Sequence, residues 1–109
     1  MKVAIPTLDK ETIFARTGQS PYFMIFEING KEYENVDLRE NHHEEHDETV
    51  EHTHADLVEK ISDCRYILLN NVGKHLKHDL DEGGIKIVKT KEKNIEKALT
   101  EFVSEYGNM

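Results

Sequence analysis

The sequence predicts an α/β domain: a mixed five-stranded sheet with three helices, in the order β-β-β-α-β-α-β-α. Three observations carry this. Val3-Ala4-Ile5 and Tyr66-Ile67-Leu68-Leu69 are short continuous apolar runs, the form of strands buried on both faces. Asn29-Gly30 lies between two strand-like segments, where a tight hairpin turn belongs. Ile95, Ala98, Leu99, Phe102, Val103 and Tyr106 recur at i, i+3, i+4, i+7, i+8 and i+11, the spacing of an amphipathic helix.

The elements follow in order. Val3-Ala4-Ile5 is stopped by Pro6. Thr7 to Gly18 reads as irregular, with Ile13-Phe14 as its apolar pair. Tyr22 to Ile28 is aromatic and β-branched, hence a strand. Glu32 to Arg39 follows the turn, and its Val36 and Leu38 are two apart, so the first three strands form an antiparallel meander. Val50, Leu57, Val58 and Ile61 then fall at helical spacing. Thr53 with Asp56 could cap that helix, or it starts near Asp47, and the sequence leaves both open. Tyr66 to Leu69 is a central parallel strand, and Asn70-Asn71-Val72-Gly73 is a turn. Lys74 to Glu82 is a short helix with Leu76 and Leu80 inward, ended by Gly83-Gly84. Ile85 to Val88 is the last strand, and Asn94 caps the last helix.

The 109 residues make one domain, residues 1–109. A net charge of −8 argues against nucleic acid and against an anionic membrane surface as partners. Cys64 is the single cysteine, so neither an internal disulfide nor a Cys-x-x-Cys metal pair exists. Met1-Lys2 runs straight into the first strand without a signal peptide, and no apolar run approaches ~18 residues. A cytoplasmic protein is the expectation.

Several segments, in this order, resemble one family. Lys2-Val3-Ala4-Ile5-Pro6-Thr7 is similar to the opening of the dinitrogenase iron–molybdenum cofactor biosynthesis family, which includes NifX-like proteins and the C-terminal domain of NifB. Gly18-Gln19-Ser20-Pro21-Tyr22-Phe23 resembles that family's glycine–x–small–Pro–Tyr–Phe segment. Ile67-Leu68-Leu69-Asn70-Asn71-Val72-Gly73, a short helix and Gly84-Ile85-Lys86-Ile87 resemble its strand–Gly–helix–Gly–Ile half. Where members often carry His-Phe before the glycine, this chain has Arg16-Thr17. The resemblance implies a ribonuclease H-like fold. It also implies a non-catalytic carrier or accessory role for an iron–sulfur or iron–molybdenum type cluster, bound transiently and exchanged with an assembly or acceptor protein.

The chemistry-bearing stretch is residues 42–54, with five of the seven histidines and five acidic residues. Neutral imidazole suits Zn, Ni, Cu and Fe, and the alternative reading is a solvated acidic loop. In open α/β sheets ligands gather at the carboxyl ends of the strands. The meander brings the start of this stretch, Arg16, Gly18, Asn71 and Gly73 to that end. His52, His54, His42, His46 and His75 are the candidate metal ligands, and Arg16, Gly18, Asn71 and Gly73 the candidate cofactor-binding residues. His54 reads equally as a packed core histidine, His42 and His46 as solvated, His75 as a surface residue and Arg16 as an ordinary loop arginine. The competing functions are a Zn- or Ni-binding module built on 42–54 and a metal-dependent hydrolase on the same fold. Cys64 falls at the opposite end and reads as a small buried residue.

Overall fold

β1 (Lys2–Thr7), in the middle of the sheet, is buried on both faces: Val3, Ala4 and Ile5 are all 0% exposed. The computed structural model describes residues 1–41 and 55–106. After β1 come a short 3-10 helix (Thr17–Gln19), β2 (Tyr22–Asn29), β3 (Glu32–Glu40), α1 (Ala55–Lys60), β4 (Tyr66–Leu69), α2 (Lys74–Glu82), β5 (Lys86–Lys89) and α3 (Ile95–Tyr106). The strands lie side by side as β3-β2-β1-β4-β5. β1–β2 and β2–β3 are antiparallel, while β1–β4 and β4–β5 are parallel. The expected mixed five-stranded sheet with three helices is found. Both proposed starts of the first helix, and residues 42–54, lie outside the described residues.

Strand alternation divides the core between the two faces. Val3, Ile5, Phe26, Ile28, Tyr66 and Leu68 pack under α3, against Leu99 and Phe102. Ala4, Phe23, Ile25, Ile67 and Leu69 face α1 and α2, against Ile61 and Leu80. α3 is anchored by the apolar stripe read from the sequence and by Asn94, whose Oδ1 accepts from the Lys97 N–H at 2.9 Å. Tyr66, Phe102 and Tyr106 form an aromatic cluster with centroids 4.9–5.4 Å apart. α2 ends at Gly83, where an added Cβ would come within 2.6 Å of Val58 Cγ1 on α1. Gly84 follows at φ +78, the left-handed position glycine accepts freely.

Three local features depart from the sequence reading. Asn29 is not in the hairpin loop; it pairs with Glu32 as the last rung, and the loop is Gly30-Lys31. Gly30, at φ +61, takes the first loop position, so glycine opens the turn rather than closing it. The β2–β3 register then shifts between Ile25 and Phe26, opposite Asp37 and Asn35. Val36 is the extra, bulged residue and is 46% exposed, so it does not share a buried face with Leu38. Thirdly, Pro6 lies inside β1 rather than beyond it. The β1–β4 register runs only from Val3↔Tyr66 to Ala4↔Ile67, and Pro6 has no N–H to continue it. The two strands part there, and the Pro6 carbonyl accepts from the Phe14 N–H at 2.8 Å instead.

A polar clamp holds edge strand β3 to the segment between α1 and β4. The Arg39 guanidinium donates to both Asp63 oxygens, at 2.6 and 2.9 Å, to Asp37 Oδ2 at 2.9 Å and to the Lys60 carbonyl at 2.6 Å. Lys2 Nζ adds a contact to Asp63 at 3.2 Å. The Arg39 hydrogen bonds hold the Asp63 carboxyl well below the usual carboxylate range, and Lys2 adds to this. Cys64 beside it is buried and its thiol is pushed up to about 12, first by burial and then by the Asp63 charge. A thiol in that state is a poor ligand or nucleophile.

Two outcomes follow. Asn94→Ala leaves the Lys97 amide without its cap and is expected to lower unfolding free energy in urea by about 1 kcal/mol. A carboxyl whose folded pKa is depressed stabilises the fold above its unfolded value, and that contribution is lost as pH falls through the folded pKa. Asp63→Asn should therefore cost about 1 kcal/mol at neutral pH, the pair being partly solvent-screened. It should also flatten the loss of stability below about pH 4, read by thermal melts across pH.

Candidate functional site

The ladder between β1 and β4 stops before the carboxyl ends of these parallel strands. The segments around those ends are stitched by short polar side chains that donate to backbone carbonyls. Thr17, 1% exposed, gives its hydroxyl to the Asn71 carbonyl at 2.7 Å, tying the 3-10 helix to the β4–α2 turn. Asn70 Nδ2 donates to the Thr90 and Glu92 carbonyls, both at 2.9 Å, tying that turn to the loop after β5. Asn41 Nδ2 donates to the Ser20 carbonyl at 2.9 Å, and its N–H to the Pro21 carbonyl at 2.9 Å. The chain therefore leaves β3 at this same rim. In the loop after β1, Asp9 accepts from the Thr12 and Glu11 N–H groups, which hold its carboxyl below the ordinary range.

A depression of ≈ 330 Å³ opens on this rim, lined by residues 15–19 of the 3-10 segment and 71–73 of the turn. Arg16, Gly18, Asn71 and Gly73 thus come together around one hollow. Arg16 is exposed, and among the described residues its guanidinium has no hydrogen-bonding or ionic partner. Gly73 is the N-cap of α2 and supplies no side-chain cap, and the first turn carries no acidic residue. The first helical bond is Lys77 N–H to the Gly73 carbonyl, so the N–H groups of Lys74, His75 and Leu76 have no intrahelical acceptor. A Cβ at Gly73 would meet nothing within 4 Å, so the bare glycine leaves that helix end open. A guanidinium and a positive helix end beside one hollow make a place that can accept an anion.

The imidazoles are not gathered in the same way. His75 is exposed on the first turn of α2 and is not among the residues that line the hollow. His78, three residues on, pairs with Glu82 at 3.1 Å. His42, His46, His52 and His54 lie outside the described residues. Among the described residues, no three His, Cys, Asp or Glu side chains come together as a metal site. A larger hollow of ≈ 510 Å³ lies at the other end of the sheet, between the β2–β3 turn and α3. Its lining includes Glu27, Glu32 and Glu34, which repel anions, so the smaller rim depression is the better candidate for anionic cargo.

Sequence reasoning missed Thr17, Asn70, Ser20 and Asn41. Thr17, Asn70 and Asn41 bond main-chain carbonyls far along the chain, and Ser20 bonds those of Tyr22 and Thr7, so no motif spacing announces them. The one usable signal was a short polar residue flanking an apolar strand.

Known proteins place the chain. A family model described as dinitrogenase iron–molybdenum cofactor matches residues 1–105. No curated protein matches. Among solved structures, the chain resembles the PH0822 protein with a TM-score of 0.78 and 28% identity, over 95% of this chain and 89% of that one. It resembles a NifB candidate from Thermotoga, solved by NMR, at 0.72 and 21%, over 95% and 88%. A dinitrogenase candidate from Methanocaldococcus jannaschii matches at 0.71 and 21%, over 95% and 88%. The family match spans every strand and all but the last residue of α3, and so the chain belongs to the dinitrogenase iron–molybdenum cofactor family.

Proposed function

We propose that this protein is a non-catalytic carrier or accessory protein for an iron–sulfur or iron–molybdenum type cluster, or its precursor, on a ribonuclease H-like framework. Family membership supports the class of cargo. The observation that carries the reading is the rim depression, where Arg16 stands beside the open N-terminus of α2. Metal–sulfur clusters and their organic acids are anionic. A planar guanidinium and free amide N–H groups hold such a periphery by charge-assisted hydrogen bonds without committing to a metal–ligand bond. That suits cargo that must leave again. His75, on the first turn of the helix whose N-cap Gly73 lines the hollow, is the imidazole this proposal adds. His42, His46, His52 and His54 are the further ligands of this proposal, on chain that starts directly after the rim residue Asn41.

A hydrolase would need converging carboxylates, and the described residues offer no such set. Asp9 is spent as the staple of its own loop.

The test is anaerobic incubation with a cluster-loaded donor, followed by removal of the donor and visible absorption of the protein. Wild type should acquire cluster absorption. Arg16→Ala, at an exposed position, should change stability by no more than about 0.5 kcal/mol and acquire much less. A folded wild type that takes up nothing overturns the proposal. Stoichiometric uptake of bare Zn²⁺ or Ni²⁺, lost in His52→Ala/His54→Ala and with no cluster transfer, would replace it by the metal-module reading.

A second outcome separates the scaffold from the contact. Thr17→Val leaves the Asn71 carbonyl without its buried donor and should cost about 1–2 kcal/mol. It should also speed amide exchange in residues 71–73, whereas Thr17→Ser restores both.

A further inference from the structure

β5 ends the sheet, and among the described residues no strand pairs with its outer side. The Lys86 N–H donates to the Arg65 carbonyl and the Thr90 N–H to the Leu69 carbonyl, both toward β4 at 2.9 Å. The alternate residues Ile87 and Lys89 therefore turn their N–H groups to the open edge.

The charge around that edge has one sign. Residues 86–93 carry four lysines and one glutamate, in a chain of net charge −8. Lys86, Lys89, Lys91 and Lys93 are all exposed, and among the described residues none is ion-paired. The opposite edge, β3, carries four acidic residues and one arginine, which is committed to Asp63 and Asp37.

Lysines on an edge strand discourage aggregation, and that accounts for Lys86 and Lys89. It does not account for Lys91 and Lys93, which lie past the end of the strand. Their loop is fixed. Asn70 holds the Thr90 and Glu92 carbonyls, the Glu92 N–H donates to Thr90 Oγ1 at 3.1 Å, and the Ile13 N–H donates to the Lys93 carbonyl at 2.8 Å. The cations stand on backbone already ordered, so little further ordering opposes association.

We propose that the β5 edge docks an extended acidic segment of a partner protein. The segment adds as a sixth strand, its main chain pairing with Ile87 and Lys89 and its carboxylates meeting the four lysines. The lysines that turn away neutral and basic strands make the edge selective for an acidic one. A second copy fits poorly, because it would bring two lysine-bearing edges of the same charge together. This inference goes beyond the cargo reading and stands without it.

The test uses the ¹⁵N-labelled full chain and a short synthetic peptide of Glu and Val that carries Glu on both faces when extended. Binding should be saturable and weaken with added salt. The Ile87 and Lys89 amides should shift and become protected from exchange. Lys89→Glu/Lys91→Glu should weaken binding roughly tenfold or more, about 1.4 kcal/mol. Lys91→Gln/Lys93→Gln, which lies outside the strand and leaves β5 intact, should weaken it in the same direction. No saturable binding up to about 1 mM peptide overturns the proposal. So do equal binding of a Lys/Val peptide, perturbation centred on β3, or self-association of the chain through this edge.

Discussion

The structure depends on how β1 is satisfied on all sides. It takes an antiparallel partner on one edge and a parallel partner on the other, and its apolar side chains are divided between two cores. That position forces the sheet to change sense at β1, from the meander β3-β2-β1 to the parallel half β1-β4-β5. Pro6 then limits the pairing. It sits where the next donor to β4 would be, and the ladder stops. Below that point the strands are held together. Above it they diverge, and the gap must be filled by the loops after β1 and β4. A crevice at the carboxyl ends of strands beside a change of sense is where α/β sheets receive ligands.

The parts of this architecture that were legible in the sequence are those set by local chemistry. β1 and β4 show as unbroken apolar runs because both faces of each are covered. α3 shows as a stripe because only one of its faces is, and Asn94 marks its start. The grouping of Arg16 and Gly18 with Asn71 and Gly73 followed from strand direction alone, since the antiparallel step from β1 to β2 puts the entry to β2 at the carboxyl end of β1 and β4. What stayed hidden is tertiary. The hairpin moved by one residue because Gly30 was required at the first loop position, and the dipeptide Asn29-Gly30 does not say which of its members enters the loop. The bulge at Val36 could not be read from a strand whose outer side faces solvent. The Arg39–Asp63 clamp spans 24 residues and the Thr17–Asn71 bond spans 54, and no periodicity links such pairs.

These hidden bonds also explain the polarity of the rim. Thr17, Ser20, Asn41 and Asn70 all spend their donors on main-chain carbonyls. Carbonyls at loop crossings are thereby neutralised from within, by side chains that carry no net charge. What remains facing outward at the hollow are donors: the Arg16 guanidinium and the first amides of α2. The local character is therefore cationic although the whole chain carries −8.

That contrast decides how an anion could be held at all. Over distances beyond about 10 Å at moderate salt, the net charge of the chain is screened, so it neither steers nor expels a bound anion strongly. Within the hollow, short-range donors set the potential, and among the described residues its lining holds no acidic side chain. The lysines of residues 86–93 extend the same sign along the neighbouring loop, which Asn70 joins to the β4–α2 turn. A single asparagine thus fixes the turn that lines the hollow and the loop that bears the cations. The two cationic regions share one rigid support, so displacement of one loop would be felt at the other through the carbonyls of Thr90 and Glu92.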